Sequence, residues 1–143
     1  MKKKITLLLI AAIALVITSC KKPAGEGGRA TIKGKIWVEN YNTLGAYPGG
    51  AYTLKGEFAG ADEDVYIIYG DDVSYGNKTK SGPDGVFEFK YLRKGDYKIY
   101  VQSKDTTRAS YYYGSGIKTV SVDVTIGDKK EEVTIPENLV IYK

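Results

Sequence analysis

Residues 84–101 read Asp84-Gly85-Val86-Phe87-Glu88-Phe89-Lys90-Tyr91-Leu92-Arg93-Lys94-Gly95-Asp96-Tyr97-Lys98-Ile99-Tyr100-Val101. Two short turn signals divide this stretch, Asp84-Gly85 at its start and Gly95-Asp96 in its middle. Glycine adopts positive φ at no steric cost, and aspartate stabilises turns through its side-chain oxygen. The two signals therefore predict two strands that are joined by a tight reversal of the chain.

The residues between the turns have the two-residue period of a strand with one buried face. Phe87, Phe89 and Tyr91 alternate with charged Glu88 and Lys90. After the second turn the apolar residues are again every second one, namely Tyr97, Ile99 and Val101. The pattern predicts a β-hairpin whose inner face carries Phe87, Phe89 and Tyr91.

The same period continues on both sides of the hairpin. It predicts further strands in 30–38, 64–69, 120–126, 132–135 and 139–142, with 52–58 as an additional strand in place of a free loop. No window combines helical periodicity with helix caps at both ends. We therefore predict an all-β fold, a single antiparallel Greek-key β-sandwich of seven or eight strands.

The D-G-x-F-x-F pattern of 84–89 and the L-x-x-G-x-Y pattern of 92–97 resemble carboxypeptidase regulatory-like and prealbumin-like (transthyretin-like) β-sandwiches. The resemblance implies a scaffold or binding module. One branch of these sandwiches hydrolyses intermediates of the urate pathway with histidines. This chain contains no histidine, so that activity is not carried over.

The first twenty residues are typical of an export signal. Three lysines precede an apolar run of 13 residues, 5–17, which is too short for the roughly 20 residues that cross a bilayer. The ending Ile17-Thr18-Ser19-Cys20 resembles a bacterial lipobox, and Cys20 is the only cysteine. The resemblance implies a Bacteroidetes-type lipoprotein that is cut before Cys20 and carries a diacylglyceryl thioether and usually an N-acyl chain, such as palmitate.

These observations predict three segments: a signal peptide over 1–19, a flexible tether with lipidated Cys20 over 20–29, and a sandwich domain over 30–143. The predicted location is the cell envelope, as an outer-membrane lipoprotein, with the leaflet left open. The whole chain has a formal charge of +4, but loss of 1–19 leaves 18 basic residues against 17 acidic ones. The near-neutral mature chain has no basic patch for nucleic acid.

The chain has few residues for catalysis. The absence of histidine excludes the common nucleophile–base pairs and histidine metal sites. The acidic groups 62–64 and 71–72 lie at opposite ends of a strand, roughly 17 Å apart, and are interpreted as solvated turns. We predict no catalytic residue, no metal and no cofactor.

Aromatic residues are the candidates for ligand binding. Three adjacent tyrosines, Tyr111, Tyr112 and Tyr113, cannot all face inward on a strand, because neighbouring side chains alternate. They form a candidate stacking surface together with Trp37, or else they cap the core. The first hypothesis is accordingly a lipid-anchored, non-enzymatic structural or protein-interaction module, with the membrane and an envelope protein as partners. The alternative is a carbohydrate-binding lipoprotein that uses exposed tyrosines.

Overall fold

The computed structural model describes residues 23–43, 52–105 and 116–143. These residues form nine strands, and no helix among them is long and apolar enough to cross a membrane. The strands are β1 Glu26–Thr43, β2 Tyr52–Ala59, β3 Asp64–Tyr69, β4 Asn77–Lys80, β5 Val86–Leu92, β6 Gly95–Lys104, β7 Ile117–Ile126, β8 Glu132–Thr134 and β9 Leu139–Tyr142.

The first sheet is built around β1, the longest strand. β5 and then β2 pair antiparallel along it, whereas β8 and then β9 pair parallel to it. Ile36 bonds to both Gly85 and Gly60, while Lys33 and Glu39 accept bonds from Ile135 and Lys143. Since the N–H and C=O of a strand residue point the same way, β5 and β2 share one side of β1, and β8 and β9 share the other.

The second sheet has the strand order β4-β3-β6-β7, and all of its pairs are antiparallel. The β3–β6 register places Tyr66 opposite Tyr100, and the β6–β7 register places Tyr100 opposite Ser121. Side chains opposite each other on paired strands lie on the same face. These three residues therefore form a row across the sheet.

The hydrophobic core lies between the two sheets and confirms the predicted β-sandwich. Within 30–38 the even-numbered residues of β1, such as Ile32, Ile36 and Val38, are buried, whereas Lys33, Lys35 and Trp37 point outward and are half-buried. The facing sheet contributes Val65, Ile67, Tyr97, Ile99, Val101, Val124 and Ile126. The strand alternation in the sequence thus indicated the inner face of these strands correctly.

The strand count and two of the pairings differ from the prediction. Nine strands are present in the described residues instead of seven or eight, and β8 and β9 run parallel to β1. After β7 the chain crosses from the second sheet to the first, and a crossover can deliver a parallel strand where a hairpin cannot. Side-chain alternation carries no information about strand direction, so the sequence pattern did not distinguish the two.

The inner face of the hairpin differs from the prediction at Tyr91. Ala30 pairs with Leu92 but Ile32 pairs with Phe89, so two residues of β5 stand opposite one residue of β1. This β-bulge reverses the alternation. Leu92 is buried in place of Tyr91, which is 70% exposed and has a φ of 61°. The prediction that Tyr91 shares the face of Phe87 and Phe89 is wrong.

The first strand begins at Glu26, inside the stretch that its composition assigned to the tether. Gly28 passes so close to β5 that a Cβ there would stand 1.8 Å from the Leu92 carbonyl oxygen. Gly25 is also buried and bonded to the body of the sandwich. The glycines of this segment allow the backbone of β1 to approach β5 closely. A flexible linker is equally rich in glycine, so composition alone does not distinguish the two roles.

Candidate functional site

Trp37 is the one predicted binding residue that the structure describes. Cys20, Tyr111, Tyr112 and Tyr113 lie outside the described residues. Trp37 projects from the outer face of β1, where its indole N–H donates a 3.3 Å hydrogen bond to Glu57. The Lys35 ammonium stands 5.5 Å from the centre of its ring. Neighbouring side chains thus occupy the polar edge of the indole and approach its face, which favours a structural role for Trp37.

A different aromatic cluster lies on the outer face of the second sheet and was not identified from the sequence. The rings of Tyr66 and Tyr100 are stacked, with centroids 4.9 Å apart and planes 12° from parallel. Tyr75 meets Tyr66 edge-on at 5.1 Å. The signal was present in the alternation, because burial of Val65, Ile67, Ile99 and Val101 directs Tyr66 and Tyr100 outward.

The two faces of the Tyr100 ring have different neighbours. Tyr66 stacks on the face toward β3, and Tyr66 in turn has the Lys78 ammonium 6.0 Å from its own ring centre. On the β7 side the residue opposite Tyr100 is Ser121, whose side chain is small. Within the described residues, the second face of the Tyr100 ring therefore borders the space that Tyr100 and Ser121 line together.

That space is a groove of about 460 Å³, which we call the tyrosine groove. Its volume lies within the range of about 300–1,000 Å³ that is typical of small-molecule sites. β6 contributes Lys98, Tyr100 and Gln102, β7 contributes Thr119 and Ser121, and the segment between β3 and β4 contributes Val73, Ser74 and Tyr75, with Ile68 of β3 completing the lining. A row of hydroxyl and amide groups thus surrounds one aromatic wall.

The electrostatic character of the tyrosine groove is close to neutral. Lys98 is the only charged residue in the part of the lining that the structure describes, and its ammonium lies 3.7 Å from the Asp123 carboxylate. Burial raises the pKa of the Tyr100 hydroxyl, and the neighbouring hydroxyls of Tyr66 and Tyr75 raise it further. Tyr100 therefore keeps its proton at neutral pH and can both donate and accept a hydrogen bond.

The acidic residues of 62–64 are engaged with lysines. Asp62 binds Lys80 at 2.8 Å and Asp64 lies 3.6 Å from Lys78, while Glu63 contacts Lys143. The Lys80 ammonium lowers the pKa of Asp62. In the part of the chain that the structure describes, no three acidic, histidine or cysteine side chains converge into a group able to hold a metal.

A larger cleft of about 700 Å³ lies between the edges of β4 and β5. Charges of both signs line it, among them Lys78, Lys80, Lys90 and Glu88. Glu88 is itself bridged by Lys90 at 2.7 Å and by Lys33 at 3.3 Å. Short, lysine-rich edge strands protect a sheet against pairing with other chains. The lining of this cleft is therefore explained by protection of the two edges.

Comparison with known proteins identifies no family for this chain. No protein family matches the sequence, and no curated protein matches it. Among solved structures, a protein from Pseudomonas aeruginosa to which carbohydrate binding is ascribed has a TM-score of 0.44 and 13% sequence identity, over 84% of this chain and 92% of that chain. A similarity of this size transfers neither a ligand nor an activity.

Proposed function

We propose that this chain is a lipid-anchored, non-enzymatic module of the cell envelope that binds its partner through the tyrosine groove. One observation carries the binding role: Tyr100 is stacked against Tyr66 on one face and borders the tyrosine groove on the other. The hydrophobic core is formed by other residues, so the outward tyrosines are not needed to fill it. Aromatic side chains in such positions are common contact residues in binding sites.

The lipid anchor is supported by the sequence before the sandwich. The basic start, the short apolar run and Cys20 match a lipoprotein signal, and one acyl chain alone would hold the membrane only weakly. Gly25 is bonded to Arg93 and Tyr97, so the folded body begins a few residues after Cys20. A short connection of this kind would keep the sandwich close to the membrane surface.

The non-enzymatic role is supported by the chemistry of the side chains. The chain has no histidine, and its sole cysteine is Cys20, the proposed lipid attachment site. The acidic side chains beside the β3–β4 pair are bound to lysines instead of facing a cavity together. Such carboxylates are poorly placed to act as a general acid and base pair, which needs two free groups on either side of a substrate.

The anchor can be tested by metabolic labelling with an alkyne-bearing palmitate analogue. We expect the wild-type chain to carry the label and to sediment with membranes, whereas Cys20→Ala should lose the label. A Cys20→Ala chain that is still labelled would contradict the anchor, and so would an unlabelled wild-type chain.

The binding role can be tested by photo-crosslinking in cells. p-Benzoylphenylalanine at Tyr75, which is 50% exposed beside the tyrosine groove, should give light-dependent adducts. The matched control is the same residue at Leu54, which is 43% exposed on β2 of the other sheet. Equal adduct yields at the two positions, or none at Tyr75, would contradict the proposal.

A further inference from the structure

We infer that the ligand of the tyrosine groove is a neutral carbohydrate chain, with one sugar ring stacked on the free face of Tyr100. This inference rests on the proposed binding role of the groove and adds the chemical class of the ligand. It follows from three properties of the site: the geometry of the aromatic wall, the hydrogen-bonding groups around it and the balance of charge.

The aromatic wall suits a flat ligand with apolar C–H groups. The face of an aromatic ring carries a negative electrostatic potential and attracts weakly positive hydrogens. A pyranose ring presents several C–H groups on one side, so it can pack on such a face. Tyr66 stacks on the opposite face of Tyr100, with the ring centroids 4.9 Å apart. Because the Tyr100 ring is therefore oriented before a ligand binds, the entropic cost of binding is lower.

The polar lining suits a ligand with many hydroxyl groups. Gln102 stands two residues after Tyr100 on the same face of β6, and Thr119 and Ser121 stand on the same face of β7. Hydroxyl and amide side chains can both donate and accept hydrogen bonds, as sugar hydroxyls do. The Thr119 hydroxyl donates to the Gln102 carbonyl oxygen at 3.5 Å, which leaves the Gln102 amide N–H groups oriented away from that contact.

The charge balance favours a neutral ligand. Nucleic acids and phosphorylated ligands are recognised through clusters of arginine and lysine. Among the residues that the structure describes, the lining has a single cation, Lys98, and Asp123 lies 3.7 Å from it. An uncharged polysaccharide can use Lys98 as a hydrogen-bond donor without requiring a second cation.

The same residues fit a protein partner less well. A stable protein interface covers about 800 Å² on each side and has an apolar centre. Here the centre of the face is polar, with Gln102, Thr119 and Ser121, and the fully exposed apolar residue Val73 stands in the turn between β3 and β4. The concave surface, with hydroxyl and amide groups beside an aromatic wall, therefore matches a narrow chain better than a protein surface.

The test is binding of the purified full chain to an array of neutral polysaccharides: glucans, xylans, mannans and galactans. Polygalacturonate is included as an anionic polysaccharide. The detergent must have no sugar headgroup, since a glycosidic detergent could occupy the groove. The affinity for the best oligosaccharide is then measured by calorimetry for the wild type and for each variant.

Two variants separate loss of the site from loss of the fold. Ser121→Tyr places a bulky ring in the groove at an exposed position of β7, and Tyr100→Phe keeps the aromatic wall without its hydroxyl. We expect Ser121→Tyr to lower the affinity roughly tenfold or more, and Tyr100→Phe to lower it much less. The control is Trp37→Phe on the outer face of the other sheet, which should leave the affinity unchanged.

The outcomes are distinguishable from those of the crosslinking experiment. Failure of every neutral polysaccharide to bind overturns the inference, as does tighter binding of polygalacturonate than of any neutral chain. Binding that is lost in Trp37→Phe and kept in Ser121→Tyr also overturns it. If crosslinking at Tyr75 gives only protein adducts, the binding role stands and the carbohydrate assignment is wrong.

Discussion

The ring of Tyr100 on β6 lies parallel to the ring of Tyr66 on β3, with the two centroids 4.9 Å apart. The residues are direct cross-strand partners, so the stack follows from the strand register and does not depend on a loop. Cross-strand pairs of this kind stabilise a sheet and fix the orientation of both side chains. Tyr66 thereby positions Tyr100 at the edge of the tyrosine groove.

This stack should be measurable as a coupling free energy. In a double-mutant cycle of Tyr66→Ala and Tyr100→Ala, we expect a coupling of about 0.5–1.5 kcal/mol in the free energy of unfolding, measured by urea denaturation. Tyr100→Ala combined with Tyr91→Ala, a tyrosine exposed on the other sheet, should give additive effects. Additivity of the Tyr66 and Tyr100 changes would show that the stack does not hold Tyr100.

Tyr97 holds the start of the folded body in place through hydrogen bonds of its hydroxyl. Its hydroxyl donates a 2.6 Å bond to the Arg93 carbonyl and accepts a 3.0 Å bond from the buried N–H of Gly25. Tyr97→Phe leaves both groups without this partner, and we expect it to lower the free energy of unfolding by about 1–3 kcal/mol. Hydrogen exchange should also become faster at the Gly25 amide. The control Tyr75→Phe changes an exposed hydroxyl and should cost less than about 0.5 kcal/mol.

An unchanged exchange rate at Gly25 in Tyr97→Phe would contradict this role of the hydroxyl. It would mean that the 2.8 Å bond from the Arg93 N–H to the Gly25 carbonyl is sufficient to hold the segment.

Gly28 and Gly56 form a matched pair of glycine substitutions. A Cβ at Gly28 would meet the Leu92 carbonyl oxygen at 1.8 Å, whereas a Cβ at Gly56 would meet nothing within 4 Å. We expect Gly28→Ala to cost more than about 2 kcal/mol, because β1 must separate from β5, and Gly56→Ala to be neutral or slightly stabilising. Thermal denaturation of both variants measures this. Similar midpoints would show that residues before Ala30 are not packed as the structure has them.

High pH should destabilise the fold through Tyr69. Burial, and then the hydrogen bond that Tyr69 donates to Glu26, raise its pKa to about 12 from an ordinary value near 10. The folded chain keeps this proton where the unfolded chain releases it. The contribution to stability is therefore complete below pH 10 and is lost as the pH rises toward 12.

Urea denaturation across this pH range should show a smaller decline for Tyr69→Phe than for the wild type. Glu26→Gln retains an acceptor and removes the charge, so its decline should be intermediate. A decline in Tyr69→Phe that is as steep as in the wild type would assign the effect to other groups, such as Tyr97, whose pKa burial also raises.

The sequence alone predicted the sandwich because one-face burial repeats in nearly every strand. Ile32, Ile36 and Val38 in β1, and Ile99 and Val101 in β6, are all buried as their alternation indicated. The turn signal at 84–85 correctly marked the start of β5, whereas Gly95 and Asp96 are the first two residues of β6 and the chain reverses just before them, at Arg93 and Lys94. These features depend on neighbours within a strand, and a single sequence records such neighbours directly.

The features that the sequence did not predict depend on contacts between strands. Whether Tyr66 meets Tyr100 is decided by the β3–β6 register, and a shift of one residue would have directed one of the rings to the core. The bulge at Tyr91 depends in the same way on how β5 pairs with β1. The candidate site could therefore be predicted as outward tyrosines on separate strands, but not as a single groove.

For Trp37 the sequence indicated the position of the side chain but not its role. Its outward position was correctly indicated, but its bond to Glu57 and its contact with Lys35 arise from β2 and from its own strand. An exposed aromatic residue is equally compatible with a binding surface and with a local surface cluster. Only the partners on neighbouring strands decide between them, and here they favour the second.

The most direct test of the central claim is a map of amide chemical shifts of the isotope-labelled full chain during titration with the oligosaccharide that binds best. We predict that the largest changes fall at Lys98, Tyr100, Gln102, Thr119 and Ser121, while Trp37 and Glu57 on the opposite sheet stay constant. Changes centred on Trp37 and Glu57, or an undisturbed tyrosine groove at saturating ligand, would contradict the account.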